Sequence, residues 1–159
     1  MSLQEKIMRA FYYKEKEIER VIFNNESEML TYLVRFLEDT GWNVFQEVST
    51  RHGYCDIVAK RILNGIEVSW GIEGKMSCNS EVILQAERNV DCFDFVSICT
   101  PMSPNPIYEE YLEDNGVGVL IIEKQQKSKY HDNGVQTSHY MFMPKWWGGE
   151  HEYVKGYST

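Results

Sequence analysis

The dipeptide Asn64-Gly65 constrains this chain more than any other feature. It stands between two runs rich in β-branched and aromatic residues, 54–60 and 66–75. A two-residue reversal between strands needs positive φ at both positions, which Asn and Gly supply most readily. With those two residues as the loop, Leu63 lies opposite Ile66. Stepping back along one strand and forward along the other then brings Asp56 opposite Glu73. Residues directly opposite share a face, with Cβ atoms about 4.5–5.5 Å apart. Alternation puts Ile66, Val68, Trp70 and Ile72 on one face and Glu67, Ser69, Gly71, Glu73 and Lys75 on the other. The apolar face is expected to enter the core. On the polar face Asp56, Glu73 and Lys75 come together, with open space expected beside them at Gly71.

Two facing carboxylates repel and destabilise a strand pair unless something cationic sits between them. Mg²⁺ takes oxygen ligands, often one or two protein carboxylates together with water and substrate phosphate, so this half-built cage suits metal-assisted phosphoryl chemistry. Lys75, on the same face, would hold the attacking water or offset charge on the phosphate. The ordinary alternative is a solvated strand face, on which Glu73-Gly74-Lys75 by itself would carry no chemistry. A bulge would slip the register and part the acids. The functional reading is favoured by an acid, a hairpin and a Glu-x-Lys occurring together.

Around this hairpin the hydrophobic period alternates between helix and strand. Residues 3–23 read as an N-terminal helix, with Ile7, Phe11, Ile18 and Ile22 spaced for one face. A second helix starts near Asn25 to Ser27 and stops at Gly41, carrying Met29, Leu30, Leu33, Val34 and Leu37. Residues 43–49 form a strand and 80–90 a helix with Val82, Ile83, Ala86 and Val90 on one side. Residues 92–99 and 117–122 read as buried strands, separated by a Pro-rich loop and a short helix over 107–114; a last strand is expected at 139–143. This order, hairpin-linked at first and crossover-linked later, gives an α/β chain with a mixed central sheet and helices on both faces. With 159 residues there is room for one core, hence a single domain: N-terminal helix, core over 26–122 and a polar, aromatic C-terminal extension over 123–159.

Other chemistries are poorly served. Cys55, Cys78, Cys92 and Cys99 form no CxxC pair, and His52, His131, His139 and His151 have no ligand spacing, which argues against a zinc knuckle or a histidine metal site. No apolar run approaches the ~20 residues that span a bilayer, and the start lacks a secretory signal, so an intracellular, cytoplasmic protein with no membrane partner is expected.

Glu28 in the second helix, then Asp56, then Glu73-Gly74-Lys75, then Gln85, set within an αβββαβ order, resemble the PD-(D/E)xK phosphodiesterase superfamily of nucleases over about residues 26–122. The resemblance implies a restriction-endonuclease-like core and a DNA nuclease dependent on Mg²⁺ or Mn²⁺. Asp56 and Glu73 would bind metal, Lys75 would position or activate water, Glu28 would complete the metal shell, and Gln85 or Arg88 would handle substrate phosphate. Cys55 stands where the motif has proline. Glu28 also has a capping role open to it, because Asn25 followed three residues later by Glu28 forms a capping-box-like start; Glu26 takes its place if the helix begins later. Gln85 shares a polar helix face with Glu81 and Arg88, for which solvent exposure is the default.

A net charge of −8, from 16 Lys and Arg against 24 Asp and Glu, speaks against holding nucleic acid by bulk electrostatics. A dimer or a protein partner would then supply the grip. Lys124, Lys127 and Lys129 form a small basic cluster that could touch phosphate, and Trp146-Trp147 could stack on bases or meet a second subunit. The rival expectation is a non-catalytic nuclease-fold module that binds a protein partner or nucleic acid.

Overall fold

A computed structural model describes residues 2–7, 20–125 and 135–142. In chain order the elements are β1 (Arg20–Val21), α1 (Glu26–Asp39), β2 (Asn43–Thr50), β3 (Gly53–Leu63), β4 (Ile66–Gly74), α2 (Ser80–Asn89), β5 (Phe95–Thr100), α3 (Pro106–Asp114), β6 (Gly118–Gln125) and β7 (Val135–Phe142). They build a seven-stranded mixed sheet ordered β1-β6-β5-β4-β3-β2, with β7 also on β6. Strands β2, β3 and β4 are antiparallel, whereas β4, β5 and β6 are parallel. The αβββαβ order expected from the sequence is present, and β4 is the strand on which the sheet changes sense.

Asn64 and Gly65 take φ of 51° and 79°. The β3–β4 ladder runs unbroken from Leu63↔Ile66 to Ile57↔Ile72, the register that a two-residue turn dictates. Helix α1 covers one face of the sheet, packing Met29, Leu33 and Leu37 against Ile57, Ala59, Trp70, Ile72, Leu120 and Ile122. The other face, with Val58, Val96, Ile98 and Val119, lies under Val82, Ile83 and Ala86 of α2 and Leu112 of α3. Helices therefore flank the sheet on both sides, as parallel strands buried on both faces require.

Gly71 does not border open space. A Cβ placed there would lie 2.3 Å from the Phe93 ring, so this side of β4 is filled. Parallel pairing with β5 makes β4 internal, and only the tip of its polar face, at Glu67, stays in solvent. The expected N-terminal helix is also corrected. Residues 3–7 are helical, but Arg20–Val21 form a strand against Lys124 and Gln125 of β6, satisfying backbone groups that β5 does not reach. Strand β6 runs past residue 122, and β7 starts earlier than residue 139, so part of the expected extension belongs to the sheet. Phe11, Ile18, Lys127, Lys129, His131, Trp146, Trp147 and His151 lie outside the described residues. Among the described residues no helix is long and apolar enough to cross a membrane.

Candidate functional site

At the open end of the β3–β4 hairpin, two residues beyond Val58↔Gly71, the ladder's phase sets Asp56 across from Glu73. The Gly74 amide donates to Asp56 Oδ2 at 2.9 Å, and the Asp56 and Glu73 carboxyls are within hydrogen-bonding reach of each other. Glu73 is only 3% exposed. Its Oε1 accepts from Nδ2 of Asn89, the last residue of α2, at 2.9 Å. Burial, and next the charge of Asp56, push the Glu73 carboxyl up to about 8, while the Asn89 amide works in the opposite direction.

Lys75 follows directly on β4, and its amide donates to Cys99 O at 3.0 Å, continuing the parallel pairing with β5 by one residue. Its Nζ lies 3.9 Å from Glu81 Oε2 in the first turn of α2. Between Glu73 and Lys75 the chain needs glycine, because a Cβ at Gly74 would lie 2.6 Å from Leu30 Cδ2 and 3.3 Å from Met29 Cε. Helix α1 thus rests against bare backbone. Glu26, one turn before Leu30, is brought within electrostatic range of Asp56, Lys75 and Glu81. Burial first, then Asp56, raise the Glu26 carboxyl, and Lys75 opposes them.

Glu28 is directed elsewhere. Asn25 is the N-cap of α1 and accepts from the Glu28 amide at 2.8 Å. The Glu28 carboxylate accepts from Asn24 N at 3.3 Å, Asn24 Nδ2 at 3.0 Å and Lys124 Nζ at 2.9 Å. Glu28 thus makes helix-start contacts and an ion pair with Lys124, and the α1 acid within electrostatic range of Asp56 is Glu26. Two residues apart on a helix means about 200° around its axis, so both cannot face β4.

On α2 the residues Glu81, Gln85 and Asn89 fall four apart and share an edge of the helix. Glu81 lies near Lys75 and Asn89 reaches Glu73, so the half-buried Gln85 lies on the stretch of helix between them. Arg88 is exposed. Asn89 was missed from sequence because a polar residue at the end of a helix reads as a solvated cap. The four-residue spacing from Gln85 was the available signal.

Asp56 and Glu73 present oxygen donors only, with Glu26 within electrostatic range of Asp56 and Lys75. Among the described residues no group of three or more His, Cys, Asp and Glu converges on a single point. One or two carboxylates with water suffice for a hard dication such as Mg²⁺, and a cation between Asp56 and Glu73 would offset the burial and, next, the repulsion that together hold the Glu73 proton. The residues present therefore fit such an ion. A cleft of about 550 Å³ lined by Trp42, Phe45, Lys60, Arg61 and neighbours lies toward the other end of the hairpin. The ionisable cluster and the cleft are separate features. Near the site, Arg51 and His52 in the β2–β3 turn both contact Asp91 Oδ2, at 2.7 and 3.1 Å, and tie that turn to the end of α2.

No family model and no curated protein sequence matches the chain. Among solved structures, a repair endonuclease from Pyrococcus abyssi aligns with a TM-score of 0.47 and 17% identity, over 61% of this chain and 46% of that one. The present chain thus spans less than half the length of that protein.

Proposed function

We propose that the chain is a PD-(D/E)xK phosphodiesterase that hydrolyses DNA with Mg²⁺ or Mn²⁺. The observation that carries this reading is the buried Glu73 carboxyl set against Asp56, with Lys75 two residues further along the same strand end. Asp56 and Glu73 would hold the metal, with Glu26 rather than Glu28 as the helix acid nearest to them. When bound, such an ion supplies Lewis-acid stabilisation of charge on the phosphoryl oxygens and lowers the pKa of water.

The chain's own residues do the rest. The Gly74 amide fixes one oxygen of Asp56, and the Asn89 amide fixes one oxygen of Glu73, so neither carboxylate has to be ordered when substrate arrives. Lys75, anchored by its backbone to β5, orients water and offers positive charge to the phosphate. Gln85, on the helix edge between Glu81 and Asn89, is suited to donate to a phosphate oxygen; Arg88 would serve substrate only from the exposed side of α2.

A second reading, a nuclease-fold module that binds a protein partner, is favoured by the exposed Leu84 of α2 and the exposed Ile107 and Tyr111 of α3. Tyr111 bridges the two helices through its hydroxyl, which donates to Glu87. The deciding experiment incubates linear, circular, single-stranded and branched DNA with Mg²⁺ or Mn²⁺, comparing the native chain with Asp56→Asn and Lys75→Ala. Cleavage by the native chain and almost none by either variant is expected. Equal cleavage by all three would remove the nuclease reading, and no cleavage by any would favour the binding module.

A further inference from the structure

Asn89 is a polar residue in an apolar setting. It is 3% exposed and shares α2 with Val82, Ile83 and Ala86, all of which pack into the core. An amide buried there costs free energy unless it is hydrogen-bonded, and an apolar side chain of similar volume would fill the space without that cost. Its Nδ2 donates to Glu73 Oε1 at 2.9 Å and makes a longer contact to Cys55 Sγ at 3.6 Å. Cys55 in turn directs its Sγ to the carbonyls of Ile57 and Ile72, at 3.3 and 3.7 Å. The amide is thus held between a fixed thiol and the acid.

We infer that Asn89 is a positioning residue of the proposed metal centre: by holding Oε1 of Glu73 it sets the rotation of that carboxylate and leaves Oε2 to share an ion with Asp56. This rests on the reading of Asp56 and Glu73 as metal ligands. A carboxylate free to rotate must be ordered when the ion arrives, and partners that orient ligands typically carry about 10–100-fold in metal affinity.

The test measures Mn²⁺ affinity by electron paramagnetic resonance of the unbound ion, in the absence of DNA. The proteins are the native chain, Glu73→Gln, Asn89→Leu, Asn89→Ala and the double variant Glu73→Gln with Asn89→Leu, each checked for folding by circular dichroism. Expected is binding by the native chain, about tenfold or greater weakening in both Asn89 variants, and a double variant no weaker than Glu73→Gln alone. A merely structural Asn89 would add its loss to that of Glu73→Gln, and this additivity would overturn the inference. So would unchanged affinity in a folded Asn89 variant. Should the substitutions prevent folding, the native chain decides: its Asn89 side-chain amide resonances should shift on Mg²⁺ titration, and an absence of shift overturns the inference. If the native chain binds no Mn²⁺, the metal-centre reading itself fails and this inference with it. Native binding with indifferent Asn89 variants sinks the positioning role alone.

Discussion

Glu28 and Glu73 are the same residue type, and each accepts a hydrogen bond from an asparagine Nδ2, at 3.0 Å from Asn24 and 2.9 Å from Asn89. Their fates differ because of the remaining neighbour and the solvent. Glu28 also meets Lys124, whose hydrogen bond pulls the Glu28 carboxyl below its ordinary range, while Lys124 is raised in return. Glu73 meets burial and another acid, and is pushed up to about 8. One corner neutralises its acid within the chain. The other buries its acid beside a second one, and under the proposed function it is this carboxylate that an external ion would claim.

The largest effect expected from breaking this contrast is on DNA cleavage. Asp56→Asn or Glu73→Gln should lower the Mg²⁺-dependent rate by about a thousandfold, the equivalent of several kcal/mol of lost charge stabilisation, whereas Glu28→Gln should cut DNA at the native rate. A gel assay with plasmid substrate reads both, and equal losses would erase the distinction between the two acids. Next comes packing beneath the acidic pair. Gly71→Ala drives a methyl into the Phe93 ring and should cost about 1–3 kcal/mol in urea unfolding. A fully native midpoint would mean that the ring has room to move.

A smaller effect concerns pH in metal-free buffer. Glu73 keeps its proton up to about pH 8 when folded, against an ordinary value of 4.5, so between these limits the folded chain binds more protons than the unfolded one. Its contribution to stability is therefore greatest below 4.5 and is lost as pH rises through about 8. The native melting temperature should fall across that window more steeply than that of Glu73→Gln, and saturating Mg²⁺ should flatten the difference; parallel curves would contradict the assignment. Glu28 has the opposite sign, because its depressed carboxyl contributes stability that disappears only as pH falls through its folded value. Being only half-buried, with its ion pair to Lys124 partly screened by solvent, it should give the smallest change of the set: Glu28→Gln should melt close to the native chain at neutral pH and lose the acid-side slope.

Local rules made the acidic hairpin legible. Asn64-Gly65 fixes a register, and a register fixes which residues share a face. Both statements use only neighbours in sequence, and they carried as far as Asp56 and Glu73. What failed depended on partners far along the chain. Gly71 looked open because nothing near it in sequence announces Phe93, and Arg20–Val21 looked helical because their strand exists only through β6. The α1 acid could not be settled by its own turn either. Glu26 and Glu28 suit a helix start equally, and only Lys124 and the hairpin, on opposite sides of α1, separate them. Asn89 was hidden for the same reason, its meaning residing in Glu73 sixteen residues away.

Because Gly74 has no side chain, Leu30, with the end of Met29 beside it, acts as a washer that sets the gap between α1 and β4. Exchanging it for Val or Phe would change the reach of Glu26 toward the hairpin acids without altering any ionisable group. The distance of a carboxylate from its neighbours could then be dialled from the hydrocarbon side of the helix, with Mn²⁺ affinity as the gauge.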